Sequence, residues 1–114
     1  MFKIYYAGKL SKMPQGPVRD DFTNKVIDLT FGWDFYIERH DGLDLDETHT
    51  FVGITDLTDP EEIFYKYNME IDEDFAEYIY NSDATHTSMS VGDVLVDTMT
   101  GKRYFCDRIG FTEV

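Results

Sequence analysis

Apolar and polar residues alternate along Phe2-Lys-Ile-Tyr-Tyr-Ala7, with Phe2, Ile4 and Tyr6 on one side and Lys3 and Tyr5 on the other. This period-two pattern predicts a strand with one buried face. Two prolines and a glycine in Met13-Pro-Gln-Gly-Pro17 bar a regular element there and predict a loop. From Lys25 to Phe31 the β-branched and apolar run Val26, Ile27, Leu29, Thr30 and Phe31 reads as a second strand. After Gly32, Trp33, Phe35 and Ile37 alternate with Asp34, Tyr36 and Glu38, the pattern of a half-buried antiparallel strand. His40 to Glu47 reads as a turn and an acidic loop, and Thr50-Phe-Val-Gly-Ile-Thr55 as another short strand.

The pattern then changes period. Asp59 can cap a helix, Pro60 suits its first position, and Glu61 and Glu62 favour the positive end of its dipole. Ile63, Phe64 and Tyr67 fall on one face, and the helix is expected to end near Asn68. A second start at Asp72-Glu-Asp74 leads into Phe75, Ala76, Ile79 and Tyr80 on one face, broken by Asn81-Ser-Asp83. Val91 to Val96, a turn at Thr98-Met-Thr-Gly101 and an aromatic-rich return from Lys102 to Cys106 form the clearest local signal, a β-hairpin. The expectation is a single domain over residues 1–114 of the α+β class: a mostly antiparallel sheet with two short helices on one face and a C-terminal β-hairpin.

Nine Phe, eight Tyr and one Trp in 114 residues supply enough large apolar surface for a core without disulfide or metal staples. The lone cysteine, Cys106, has no internal partner, and Met1-Phe-Lys-Ile-Tyr-Tyr lacks the apolar run of a signal peptide. No stretch approaches the roughly 18 consecutive apolar residues of a membrane helix. A cytoplasmic protein is the expectation.

Charge adds more. The formal net charge is −13, with 23 acidic and 10 basic residues. Between His40 and Gly101 stand sixteen acidic residues and one basic, Lys66, a net of −15 that leaves +2 for the two ends together. Such a field repels nucleic acid and anionic membranes and attracts basic protein surfaces in a salt-sensitive way. The plain alternative is a solvated acidic face that keeps a small domain soluble.

Four stretches in order carry a family resemblance: Leu57-Thr-Asp-Pro-Glu-Glu-Ile-Phe-Tyr-Lys-Tyr-Asn68, Asp74-Phe75, Ser88-Met-Ser-Val-Gly-Asp-Val94, and Tyr104-Phe-Cys-Asp-Arg-Ile-Gly-Phe-Thr-Glu-Val114. Together they resemble the YodL-like domain of bacteria, their mobile elements and phages. The likeness covers roughly the last half of the chain and is most specific in Ser-x-Ser-Val-x-Asp and Asp-x-Ile-Gly-Phe. It implies no reaction and no cofactor. Physically, Ser88 and Ser90 read as turn formers, Asp93 is placed to satisfy exposed N–H groups, and Gly110 relieves a bend beside Phe111.

Candidate chemistry is thin. The acids around His40 and His49 do not follow the order of an EF-hand loop, and no histidine pair at helical spacing prearranges zinc. His86, Ser88, Ser90 and Asp93 hold the ingredients of a nucleophilic triad, but their crowding into eight positions fits a turn better. Cys106 reads as a small buried hydrophobe. No cofactor is expected.

The leading expectation is therefore a small acidic accessory protein of phage or mobile-element type that binds and modulates a host protein, occupying a basic surface that otherwise holds nucleic acid. Its contact residues would be Asp41, Asp44, Asp46 and Glu47 in the loop and Asp72, Glu73, Asp74 and Glu77 around the second helix. The alternative is a small-ligand protein or enzyme with an aromatic-lined pocket and His86 or His49 at its mouth. A self-associating structural domain is a third.

Overall fold

The computed structural model describes residues 1–14, 16, 18–69, 83–86 and 88–114. Among them five strands form one antiparallel sheet: β1 (Phe2–Ala7), β2 (His49–Thr55), β3 (Val94–Asp97), β4 (Arg103–Cys106) and β5 (Phe111–Glu113), in the spatial order β2-β1-β3-β4-β5. Four α-helical segments accompany it: α1 (Asp21–Leu29), α2 (Trp33–Arg39), α3 (Leu45–Thr48) and α4 (Pro60–Met69). The α+β class and the terminal hairpin, β3 turning through Thr98 to Gly101 into β4, are as the sequence predicts.

Helices cover both faces of the sheet. Phe2, Ile4 and Tyr6 of β1 point to the α4 side, where they pack with Ile63, Tyr67, Val52, Leu95 and Cys106. The alternate residues Tyr5 and Ala7, with Val94 and Phe105, pack against Leu29, Trp33 and Tyr36 of α1 and α2. Full burial of one such apolar side chain is worth about 1.5–3 kcal/mol, so both layers contribute to holding the fold. The α4 helix begins as its chemistry dictates, with Asp59 accepting the Glu61 N–H at 3.0 Å and its carbonyl accepting the Ile63 N–H at 3.0 Å. The predicted second helix, beginning at Asp72-Glu-Asp74, lies outside the described residues.

Two expected strands are helices instead. Lys25–Phe31 falls mostly in α1 and Trp33–Glu38 in α2. The start of α1 is local: Asp20 accepts the Thr23 N–H at 2.8 Å, which pulls its carboxyl below the usual range, and Asp21 sits in the first turn. For α2 the decisive contacts are remote. Asp107, in the turn after β4, accepts the Trp33 N–H at a long 3.4 Å. A Cβ on Gly32, whose φ is +104°, would meet that carboxylate at 2.9 Å, so only glycine permits the approach. Trp33 then packs on Phe105 and on Tyr36, while Ile37, expected inside, is exposed. Period-two and helical spacings both fit so short a stretch, and the sheet beneath it selected the helix.

Candidate functional site

The acidic loop lies beside a polar cleft. Asp41, Asp44 and Asp46 are exposed on the segment between α2 and β2, and Glu47 is half-buried in α3. A cleft of about 480 Å³ opens between this segment and α1 and α2, and its wall includes Asp21, Lys25, Arg39, Asp41, Asp44 and Glu47. Lys25 is held by Glu47 at 2.6 Å and by Asp21, one helical turn earlier, at 3.3 Å. Above all the bond to Glu47 raises the Lys25 ammonium above its ordinary pKa. At the floor, the Tyr36 hydroxyl donates to the Gly42 carbonyl at 2.7 Å, and burial raises its pKa and keeps it a donor. His40 lies against the Tyr36 ring and meets Asp28 through Nε2 at 2.8 Å.

Of the eight residues expected to meet a partner, Asp41, Asp44 and Glu47 therefore share one cleft and Asp46 lies beside it, while Asp72, Glu73, Asp74 and Glu77 lie outside the described residues. Asp44 also starts α3, its side chain accepting the Asp46 N–H at 3.0 Å. Asp21, Lys25 and Arg39 in the cleft wall are not among the residues expected from the sequence. A signal for them was present, since Asp20 followed by an Asp21 to Lys25 spacing of four is a capped helix with an ion pair on its surface.

His49 is not at the mouth of a pocket. It is 1% exposed, with Nε2 2.7 Å from the Gly92 carbonyl and Nδ1 2.7 Å from the Thr48 hydroxyl. A carbonyl only accepts, so Nε2 carries the proton, while Nδ1 meets a Thr48 hydroxyl whose single proton is shared with the Asp44 carbonyl at 3.0 Å. Burial pushes the pKa of the imidazole down to about 4, against the opposing effect of the Gly92 bond. His49 is a neutral tie between β2 and the turn before β3, and both of its nitrogens are engaged. The described residues hold no group of three or more His, Cys, Asp or Glu placed to bind a metal.

The Ser-rich segment before β3 is organised by Asp93. This carboxylate is fully buried, with Oδ1 accepting the Ala7 N–H at 2.7 Å and Oδ2 the Ser90 N–H at 2.8 Å. His86 Nε2 lies 3.1 and 3.0 Å from the same two oxygens, and its ring stacks on Tyr6 at 4.7 Å. Burial pushes the Asp93 carboxyl upward in pKa, opposed by His86 and the two N–H groups. Two main-chain N–H groups thus donate to the carboxyl, and the His86 ring closes its remaining side. On the far side of the ring, Nδ1 sits 2.9 Å from the Thr85 hydroxyl, which donates to the Ala7 carbonyl at 3.0 Å. The ring thus links Asp93 to Thr85, and through the Thr85 hydroxyl to the end of β1 at Ala7. Gly8 makes room for it, since a Cβ there would meet Thr85 at 2.9 Å and its φ is +97°. Asp93 thus satisfies main-chain N–H groups as its position in the turn predicts, and Ser90 contributes a backbone donor rather than a nucleophile.

Cys106 is buried on β4, and burial, with the nearby charges of Asp93, Glu61 and Asp107, pushes its thiol up to about 12. At about pH 8 iodoacetamide is expected to leave the folded protein unlabelled and to label it fully in denaturant; rapid labelling of the folded form would contradict the burial.

The fold and cleft define an α+β domain with an acid-walled groove on its helical α1/α2 face. Comparison of the chain with family models, curated proteins and solved structures finds no match. No helix among the described residues is long and apolar enough to cross a membrane.

Proposed function

We propose that this domain is a protein-interaction module that binds a basic surface on a partner and modulates it, a surface of the kind that otherwise holds nucleic acid. The observation that carries the reading is the exposure of Asp41 and Asp44 in the cleft wall and of Asp46 beside it, in a chain of net charge −13. Carboxylates spaced along a loop offer Arg and Lys side chains the same charge-assisted hydrogen bonds as phosphates. The resemblance of the last half of the chain to the YodL-like domain adds the setting: an accessory protein of a phage or mobile element, acting on a host protein in the cytoplasm. The ligand-pocket alternative draws no support from the histidines it relied on, because His49 is sealed in the core and His86 is clamped to Asp93.

The test is capture of partners from a bacterial lysate by the tagged protein at low salt, with release by a salt gradient. A nucleic-acid-handling protein is expected to elute at moderate salt, and its loss from DNA or RNA in competition would confirm the mode of action. Reversing Asp41 and Asp46 to Lys is expected to weaken binding by roughly tenfold or more, a change of about 1.4 kcal/mol or more. Both residues are exposed and neither caps a helix, so folding should survive. Extending the reversal to Asp72, Glu73, Asp74 and Glu77 is expected to abolish capture; unchanged affinity in all of these variants would end the reading.

A further inference from the structure

Isoaspartate forms where an aspartate precedes a residue too small to shield its own amide nitrogen and the chain between them is free to bend. Glycine alone has no Cβ to screen that nitrogen from the carboxyl before it. Asp41-Gly42 is the sole Asp-Gly pair in the sequence, which holds no Asn-Gly pair. It lies where α2 has ended and α3 has not begun, and both of its residues are exposed.

The chain is held on both sides of this peptide bond and not across it. Before it, the His40 N–H donates to the Tyr36 carbonyl at 3.0 Å and closes α2. After it, the Gly42 carbonyl accepts the Tyr36 hydroxyl at 2.7 Å, and the Leu43 carbonyl accepts an Arg103 Nη1–H at 2.8 Å. Among the described residues the Gly42 N–H donates to no group, and the Asp41 carboxylate has no hydrogen bond or ion pair. Apart from its chain neighbours, nothing lies within 4 Å of the place a Cβ on Gly42 would take, so no neighbour bars the carboxyl from swinging toward that nitrogen. Other acids lack these conditions. Asp46 precedes Glu47, whose N–H is bonded to the Asp44 carbonyl at 3.1 Å, and Asp97 precedes Thr98, whose N–H is bonded to the Met1 carbonyl at 2.9 Å.

We propose that Asp41 is a modification site, converting spontaneously to isoaspartate through a cyclic imide with Gly42. The Gly42 nitrogen forms a bond to Cγ of the Asp41 carboxyl, and the carboxyl hydroxyl leaves as water with the amide proton. Water then opens the imide at either carbonyl. Attack at Cγ restores aspartate. Attack at the main-chain carbonyl breaks its bond to the Gly42 nitrogen and leaves the chain running through Cγ, with the former main-chain carbonyl now a free carboxylate. One water is released and one consumed, and no oxidant or cofactor enters. The product keeps its charge but has one more methylene in its main chain, while the imide has lost the charge, so both alter the acid wall of the cleft. The conversion depends on local geometry alone and stands whether or not the cleft binds a partner.

The test is ageing of the folded protein in near-neutral buffer at physiological temperature, followed by proteolysis and mass spectrometry with electron-transfer fragmentation, which separates isoaspartate from aspartate at equal mass. A carboxyl methyltransferase specific for isoaspartate, supplied with labelled S-adenosylmethionine, counts the product independently in the fragment that holds Asp41. A synthetic peptide of residues 38–46 sets the rate in the absence of the fold. The folded protein is expected to accumulate isoaspartate at Asp41, through an intermediate lighter by one water, at a rate less than about tenfold below that of the peptide. Conversion at Asp46 and Asp97 is expected to be at least about tenfold slower than at Asp41. Asp41→Glu keeps the charge but would need a larger, six-membered imide, and its fragment is expected to lose the methyl label by about tenfold or more. The proposal is overturned if the folded protein converts about tenfold or more slowly than the peptide, because the fold would then hold the carboxyl away from the nitrogen. It is also overturned if Asp46 or Asp97 converts as fast as Asp41, or if the Asp41→Glu fragment is labelled like the parent.

Discussion

Asp93→Ala is expected to lower the unfolding free energy by roughly 3–5 kcal/mol, the largest effect of any single polar substitution among the described residues. One side chain here holds three partners at once: the main chain of β1 at Ala7, the turn at Ser90, and the ring of His86. Alanine leaves the Ala7 N–H without its acceptor, frees Ser90, and strips His86 Nε2 of its partner over Tyr6. Urea titration measures the loss, and a value within about 1 kcal/mol of the parent would show that the network is ornamental. His86→Ala separates the partners. It leaves the buried Asp93 carboxyl with two N–H donors and no ring nitrogen beside it, so the variant is destabilised most near neutral pH. Because burial already raises the Asp93 pKa, protonation relieves this variant, and its deficit is expected to shrink as pH falls. A deficit that stays constant with pH would mean that the ring contributes packing alone.

The second large effect is on the pH dependence of stability. His49 has its folded pKa lowered from 6.5 to about 4, so between those values the unfolded chain binds the proton more tightly than the folded one. Its stabilisation is complete above 6.5 and is lost as pH falls toward 4, an acid destabilisation of about 3 kcal/mol. Asp93 acts in the opposite sense: its raised carboxyl pKa favours the fold on acidification, in a window beginning above 3.8. Asp20, Asp83 and Asp97, each lowered from 3.8 chiefly by a main-chain N–H bond, lose their stabilisation only below that value. The wild-type slope is thus a difference of terms, and the informative measurement is the change produced by His49→Gln. Glutamine can still donate to Gly92 and cannot titrate. The variant is expected to lose most of the fall in stability between about pH 6.5 and 4; an identical pH profile in both proteins would show that His49 titrates normally.

The candidate site was half legible in the sequence. The acids of the 41–47 loop were identified because charge can be read residue by residue, and their exposure follows from the high cost of burying an unpaired carboxylate. The opposing wall of the cleft was not. Asp21, Lys25 and Arg39 reach it only because residues 21–39 are two helices, and the β-branched run from Val26 to Phe31 argued locally for a strand. His86 and Asp93 illustrate another limit. Seven residues apart, they read as parts of a turn, and the turn is real; that they close over the end of β1 at Ala7 depends on a contact 86 residues distant in the chain.

By itself the sequence determined the α+β class, the inner face of β1, the capped start of α4, the terminal hairpin and the acidic balance. Each of these rests on neighbours within a few residues, where periodicity, capping and turn chemistry act. Only the tertiary structure decided that Trp33–Arg39 is a helix and that the sheet is covered on both faces. The physical reason is the same in each case. A seven-residue stretch has too little preference of its own, and the sheet face beneath α2, with Asp107 at its first turn, supplied the burial and the hydrogen bond that selected one conformation.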